Sequence, residues 1–226
     1  MPRTVRASVG DICYHVINRG NGRGLVFRRD EDFAAFVGIM GSAVERIGTR
    51  VLGYCLMPNH FHLILWPRAD GELGRFMQWL STSHVRRHHG VYRTSGHVWQ
   101  GRFKAFPIQD DDHLLTVLRY VERNPLRARL VRRAEKWRWS SAGARVRDRQ
   151  VGFLTVGPVE RPADWLQFVN EPQTEKELEA VRVSVVRGAP YGEGPWRAAT
   201  AARLGIGASL NPRGRPRKPP RPTGQK

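Results

Sequence analysis

Two apolar segments joined by a short polar turn constrain the fold more than any other feature of this sequence. Val51–Met57 and Phe61–Trp66 are rich in residues that favour strands, and only a Pro-Asn-His stretch separates them. A connection this short predicts an antiparallel hairpin. His60 directly precedes the second segment and His62 lies within it. Both point to one face because strand side chains alternate between faces.

The segments around this hairpin predict further strands and helices. In chain order they are a strand over Ile12–Asn18, a helix from Asp30 to about Gly48, a helix from Leu73 to about His88, a strand within Trp99–Phe106 and a helix from Asp110 to Asn124. The order β, α, β, β, α, β, α predicts an α+β protein with a ferredoxin-like split βαβ arrangement. We expect an antiparallel sheet with helices on one face, which leaves the other face free to hold a site near the third predicted helix.

The charge balance points to a polyanionic partner. The 226 residues carry 38 Lys and Arg against 20 Asp and Glu, giving a net charge of +18 and a sequence pI of about 11.3. Nucleic acid is the commonest partner of such a chain, and a solvated Arg-rich surface is the alternative. The sequence has no apolar run of membrane-spanning length, no secretory signal and only Cys13 and Cys55. We therefore expect a cytoplasmic protein.

Tyr120 and Asn124 complete a candidate site with the histidine pair. They are four residues apart in a predicted helix and so lie on one helical face. Two imidazoles and an amide oxygen form an incomplete shell that suits Mg²⁺ or Mn²⁺ and leaves positions for a phosphate oxygen. The residues alone leave other interpretations open: half-buried strand histidines, and a surface tyrosine on an ordinary amphipathic helix.

Five separated blocks carry a family resemblance over about residues 10–145. The blocks are YHVINRGN, MPNHFHLIL, WQGRFKAF, LRYVERNPLRARLV and WRWSS, in this order. Together they resemble the single-tyrosine HUH endonuclease superfamily, of which the IS200-like transposases are part. The Tyr-Asn spacing followed by Pro resembles the REP-associated tyrosine transposases, bacterial proteins linked to repetitive extragenic palindromes. The wider insertion-sequence group more often has Gln where this chain has Asn124.

The resemblance implies a mechanism. His60, His62 and Asn124 would hold a divalent cation, and Tyr120 would attack the scissile phosphate to form a 5′-phosphotyrosine bond with release of a 3′-OH. A phenol has an ordinary pKa near 10 and needs activation, by the cation, by Arg119 or Arg123, or by a general base. Glu122 should point away from Tyr120, and His15 is interpreted as structural or substrate-contacting.

The expected substrate is single-stranded or hairpin DNA at palindromic repeats. The residues predicted to bind DNA are Arg19, Arg23, Arg86, Arg87, Trp99, Arg102, Lys104, Arg213, Arg215 and Arg217. Trp99 is a candidate because aromatic rings stack on unpaired bases, and a core position is the alternative. We expect a monomer associated with the nucleoid, with a homodimer as the alternative.

The sequence also predicts a division of the chain. It assigns residues 1–145 to the transposase domain, 146–170 to a linker, 171–210 to a small helical C-terminal extension, and 211–226 to a basic tail. The tail contains six basic residues, five prolines and no acid, so it should be disordered alone. Its PRGRPRK stretch resembles an AT-hook that lies in the minor groove, and non-specific attraction is the alternative.

Three other functions compete with a transposase. The first is a domesticated DNA-binding protein of the same fold without cleavage activity. The second is a replication or mobilisation initiator, although such proteins often carry two tyrosines and only Tyr120 fits here. The third is a metal-dependent hydrolase, in which water attacks and no covalent adduct forms.

Overall fold

The computed structural model describes residues 8–147 and 152–211. A four-stranded sheet forms its centre, in the order β2-β3-β1-β4, with every neighbouring pair antiparallel. The strands are β1 (Cys13–Arg19), β2 (Arg50–Met57), β3 (His60–Trp66) and β4 (Lys104–Ile108). This order is that of a ferredoxin-like split βαβ sheet, which confirms the predicted fold class.

Eight α-helices accompany the sheet in the described part of the chain. They are α1 (Asp30–Ile47), α2 (Glu72–Tyr92), α3 (Asp112–Glu122), α4 (Asn124–Arg127), α5 (Ser141–Val146), α6 (Trp165–Asn170), α7 (Glu175–Arg187) and α8 (Gly194–Arg203). α1 ends at Gly48, as predicted, because Gly48 adopts a left-handed φ of 90° that closes the helix. α2 extends four residues beyond the predicted end at His88. None of these helices is both long and apolar enough to cross a bilayer.

The predicted hairpin forms at the expected residues. Met57 pairs with His60 and Leu56 with Phe61, so the connection is a tight turn over Pro58 and Asn59. The Pro58 carbonyl accepts hydrogen bonds from the backbone amides of Val26 and Phe27, at 2.9 and 3.0 Å. These bonds tie the turn to the segment after β1 and so fix the position of the histidines that follow.

The sheet carries helices on both faces. α1 and α2 cover one face, where Phe36, Met40 and Phe76 pack against Phe61 and other inward residues of the strands. α3, α6 and α7 pack against the second face, which the sequence analysis expected to be free. The close packing of α3 has a local cause: an added Cβ at Gly53 of β2 would lie 2.8 Å from a Leu118 methyl group.

The segment predicted as a linker contributes to this second core. Trp165 and Val169 of α6 are buried beside α3, and Leu154 forms an isolated bridge to Val51 of β2. α7 adds two buried side chains from the predicted C-terminal extension. The division of the chain into domain, linker and extension stays a prediction, and the tail with Arg213, Arg215 and Arg217 lies outside the described residues.

Candidate active site

The histidine pair lies on the face of the sheet that α3 covers. The ring centroids of His60 and His62 are 5.0 Å apart, and the ring of Tyr120 from α3 lies 5.9 Å from that of His62. His62 and Tyr120 are buried, with 2% and 8% of their surfaces exposed. The structure therefore brings together three of the four predicted site residues through direct ring contacts.

The turn fixes the protonation of His60. Asn59 Nδ2 donates to the carbonyl of Arg23, so Asn59 Oδ1 is the atom that faces His60 Nδ1, at 2.6 Å. Because an amide oxygen only accepts, His60 Nδ1 carries the proton. The lone pair of a neutral His60 is then on Nε2, which is free to bind a metal ion.

His15 of β1 supports His62 from the neighbouring strand. His15 Nε2 and His62 Nδ1 are 2.8 Å apart, and the two rings stack with centroids 5.0 Å apart. In one of the two tautomers His62 Nδ1 donates to His15, which leaves His62 Nε2 unprotonated. Hydrogen bonds of this kind orient metal-binding histidines and set their tautomer.

Burial keeps all three imidazoles neutral. It lowers the pKa of His15 to about 3. Burial, followed by the charges of Arg19 and Arg127, lowers the pKa of His60 to about 4. The pKa of His62 is well below its ordinary value, chiefly through burial and then through His15 and His60. Neutral imidazoles are the form that binds metal ions.

Tyr120 is held in place by an anchor on the opposite side of α3. Glu122 is fully buried and points away from Tyr120, as predicted. Its carboxylate accepts hydrogen bonds from Ser141 Oγ at 2.6 Å, Arg145 Nη1 at 2.5 Å and Trp165 Nε1 at 2.7 Å. All of its hydrogen-bond donors belong to α5 and α6, so Glu122 fixes the rotation of α3.

Asn124 fits the role of a third protein ligand. It begins α4 one turn after Tyr120, and only Arg123 separates α4 from α3. Its side chain is buried, and its Nδ2 has no hydrogen-bond partner in residues 8–147 or 152–211. In the same ranges no three His, Cys, Asp or Glu side chains are grouped to hold a metal ion. The role of Asn124 as a ligand together with His60 and His62 stays a prediction.

The two arginines predicted to activate the tyrosine are turned away from it. Arg119 Nη2 donates to the carbonyls of Glu171 and Pro172, at 2.9 and 3.2 Å. Arg123 Nη1 donates to the carbonyls of Val169 and Asn170 at the end of α6. The prediction for these arginines is wrong, because both guanidinium groups join α3 to the C-terminal segment.

Three of the residues predicted to bind DNA line one groove beside the site. Arg19, Arg102 and Lys104 border a cavity of about 510 Å³, with Val185 and Val186 of α7 opposite them. The register places the side chains of Arg19 and Lys104 on the same face as the histidines. The segment before β4 is held to the end of β1, since the backbone N–H of Gln100 donates to the backbone carbonyl of Arg19 at 2.8 Å.

Two other DNA-binding predictions are corrected. The Trp99 ring packs in the core against Phe61 and His84, with centroid distances of 5.1 Å to each, and only 5% of Trp99 is exposed. It cannot stack on a base without unpacking the core, so that prediction is wrong. Arg87 is used within the fold, where it forms an ion pair with buried Asp32 at 3.0 Å. Arg23 and Arg86 are exposed, and their role stays a prediction.

One site residue was missed by the sequence analysis. Arg127 Cζ lies 4.2 Å from the centroid of the Tyr120 ring. Burial lowers the pKa of Arg127, and Tyr120 acts in the opposite direction. Its spacing from Tyr120 could have identified it in the sequence. Seven residues make about two helical turns, so the two side chains return to the same face.

The geometry defines a protein with a histidine pair and a buried tyrosine on a ferredoxin-like sheet. The family model for IS200-like transposases matches residues 8–124, just over half of the 226-residue chain. The chain therefore belongs to the IS200-like transposase family. This class of enzyme acts on DNA, in agreement with the basic charge.

The solved structures that are similar to this chain include two transposases. One is a REP-associated tyrosine transposase bound to a REP hairpin, with a TM-score of 0.48, 16% identity, and 70% of this chain and 90% of that chain covered. The other is a protein assigned as a transposase from Deinococcus radiodurans R1, with a TM-score of 0.37, 18% identity, and 54% and 94% covered. No curated protein matches the chain. Family membership rests on the match over residues 8–124.

Proposed function

We propose that this protein cleaves and rejoins single-stranded or hairpin DNA at palindromic repeats through a 5′-phosphotyrosine intermediate formed by Tyr120. One observation carries the proposal: the buried ring of Tyr120 lies 5.9 Å from that of His62, in a chain that belongs to a transposase family. A surface tyrosine on an ordinary amphipathic helix would not be buried against a pair of neutral histidines.

Each site residue has a distinct part in this reaction. His60, His62 and Asn124 would hold a divalent cation, Mg²⁺ or Mn²⁺, which when bound polarises the scissile phosphate. The Tyr120 oxygen forms a bond to phosphorus while the bond from phosphorus to O3′ breaks. The leaving O3′ keeps the electron pair of that bond and takes up a proton, and the phenol gives up its own. Attack by another 3′-OH on the phosphotyrosine reverses these steps and joins the strands.

The DNA strand would approach along the groove lined by Arg19, Arg102 and Lys104. These cations neutralise backbone phosphates without reading sequence, so they support affinity and register. The Asn124-Pro125 pair and the five sequence blocks favour the REP-associated subgroup within the family. With its net charge of +18, the protein would associate with the nucleoid in the cytoplasm, as a monomer.

The test uses a labelled library of hairpin-bearing oligonucleotides incubated with Mg²⁺ or Mn²⁺. Wild-type protein should form an adduct that survives a denaturing gel, and Tyr120→Phe should form none. Tyr191→Phe is the matched control, since Tyr191 is half-buried beside α7 and its ring contacts His113. This control should form the adduct at the wild-type rate, and chelation of the metal should stop the reaction.

Other results would identify another function. Cleavage without an adduct that persists in Tyr120→Phe would show hydrolysis by water. Tight hairpin binding by the wild type with no cleavage in either metal would show a domesticated DNA-binding protein.

A further inference from the structure

Arg127 lies against the nucleophile on the second turn beyond it. Its backbone amide donates to the Arg123 carbonyl at 2.9 Å, so the helical path continues through the junction of α3 and α4. Its guanidinium carbon lies 4.2 Å from the centroid of the Tyr120 ring. The same charge acts on His60 and His62, where it disfavours the protonated imidazoles. Arg127 therefore belongs to the cluster formed by the tyrosine and the histidine pair.

The guanidinium of Arg127 has no polar partner in residues 8–147 and 152–211. Its Nη1 is buried and makes no hydrogen bond there, and no ion pair of these residues includes it. The preceding arginines differ in this respect. Arg119 and Arg123 donate to four carbonyls between them, at the end of α6 and just beyond it.

A half-buried cation without an acceptor is unfavourable for folding alone. Stacking on an aromatic ring offsets part of the cost but satisfies none of the N–H donors. The planar guanidinium matches the oxygens of a phosphate, to which it donates paired hydrogen bonds. The chemistry that would satisfy this group is therefore an anionic phosphate located between Tyr120 and the histidines.

We propose that Arg127 is a catalytic residue that binds a non-bridging oxygen of the scissile phosphate while its guanidinium stacks on the ring of Tyr120. The inference rests on the proposed function and deepens it. As the phenol oxygen bonds to phosphorus and the O3′ leaves, negative charge grows on the non-bridging oxygens. Donors that already point at these oxygens stabilise the transition state.

The experiment uses a hairpin oligonucleotide recovered as an adduct of the wild-type protein and mapped to its scissile phosphate. Single-turnover adduct formation is compared for wild type, Arg127→Gln, Arg127→Lys and Arg132→Gln. Arg132 is exposed and makes no hydrogen bond or ion pair to the described residues, so Arg132→Gln is the matched loss of one charge. We expect Arg127→Gln to lower the rate about 100-fold, Arg127→Lys to lower it less, and Arg132→Gln to leave it within about twofold.

A binding measurement separates a phosphate contact from a structural role. The measurement is made without divalent metal, so that no cation contacts the phosphate. In Tyr120→Phe protein, which lacks the proposed nucleophile, a neutral methylphosphonate at the scissile position should weaken hairpin binding about 10-fold. In Tyr120→Phe with Arg127→Gln the same replacement should change binding by less than about twofold, because the oxygen has lost its partner. Removing an unpaired cation should leave the melting temperature unchanged or higher, whereas loss of a structural arginine would lower it.

The outcomes distinguish this inference from the proposed function. Wild-type activity with an Arg127→Gln rate within about threefold would overturn the role of Arg127 and leave Tyr120 as nucleophile. An equal effect of methylphosphonate in both backgrounds would overturn it too. Absence of any wild-type adduct would refute the proposed function, and the role of Arg127 with it.

Discussion

The buried carboxylate of Glu122 makes a strong prediction about stability. It is fully inaccessible to solvent and accepts hydrogen bonds from Ser141, Arg145 and Trp165. Glu122→Ala removes the acceptor of all three donors, and it leaves Arg145, whose side chain is 30% exposed, without its anion. Breaking a buried pair costs about 3–5 kcal/mol, and the partial exposure of Arg145 favours the lower end. We expect the free energy of unfolding to fall by about 3 kcal/mol.

Glu122→Gln tests the same network with little change in volume. The carboxylate uses both oxygens, one for Ser141 and Arg145 and the other for Trp165. An amide has one oxygen, so its NH₂ group must face at least one donor. We expect a loss of about 1–3 kcal/mol, the cost of an unsatisfied buried donor.

Thermal and urea unfolding measure both variants. For a chain of this size 1 kcal/mol shifts the melting temperature by about 2–4 °C, so Glu122→Ala should melt about 6–12 °C lower. Glu179→Ala is the matched control, because Glu179 is exposed on α7 and has no hydrogen-bond or ion-pair partner in the described ranges. A Glu122→Ala loss below about 1 kcal/mol would refute the anchor. If Glu122→Gln folds well but forms no adduct, the conclusion that Glu122 has only a structural role is refuted.

Three further predictions follow from the geometry. His15→Phe removes the hydrogen bond to His62 and should weaken Mn²⁺ binding about 10–100-fold by calorimetry; unchanged affinity would exclude His15 as a support of His62. Burial lowers the pKa of His84 to about 3, so it stays neutral when folded but is protonated below about pH 6.5 when unfolded. The free energy of unfolding should therefore fall as the pH drops from 6.5 towards 3, by up to ~1.4 kcal/mol per pH unit for this group, and His84→Phe should reduce the slope by that share while His15, His60 and His62 keep theirs. Gly53→Ala should cost about 1–3 kcal/mol, because its Cβ would lie 2.8 Å from a methyl group of α3, whereas Gly74→Ala meets no atom within 4 Å and should not destabilise the protein.

Local patterns predicted the sheet because they depend on nearby residues alone. The tight connection before His60 and the alternation of β3 require no knowledge of distant segments. The acidic start of α1 and its end at Gly48 were predicted for the same reason. Tyr120 and His62 lie far apart in the sequence. They were predicted to share a site because the separated blocks that contain them together resemble one family.

Contacts made across the chain were the ones that sequence patterns could not predict. An aromatic residue before a strand looks the same whether it stacks on a base or fills a core, and Trp99 does the latter. Helical periodicity gives the face of Arg119 and Arg123 but not the carbonyls that they contact at the end of α6 and just beyond it. Those acceptors lie about fifty residues further along the chain, so the sequence does not show that Arg119 and Arg123 have partners. For the same reason it does not show that Arg127 differs from them in having none among the described residues.

The arginine contacts to α6 and the following residues also bear on how such a protein can change over generations. Arg119 and Arg123 hold the back of α3 through backbone carbonyls that lie beyond the family-matched region, which ends at residue 124. Backbone acceptors tolerate most side-chain substitutions, but they are lost when the segment is exchanged or removed. Glu171 and Pro172, which are exposed, can therefore diverge in sequence while their backbone path stays constant, whereas Trp165 and Val169 are also held by their buried side chains. A graft that keeps only the matched region would remove all of these contacts to α3.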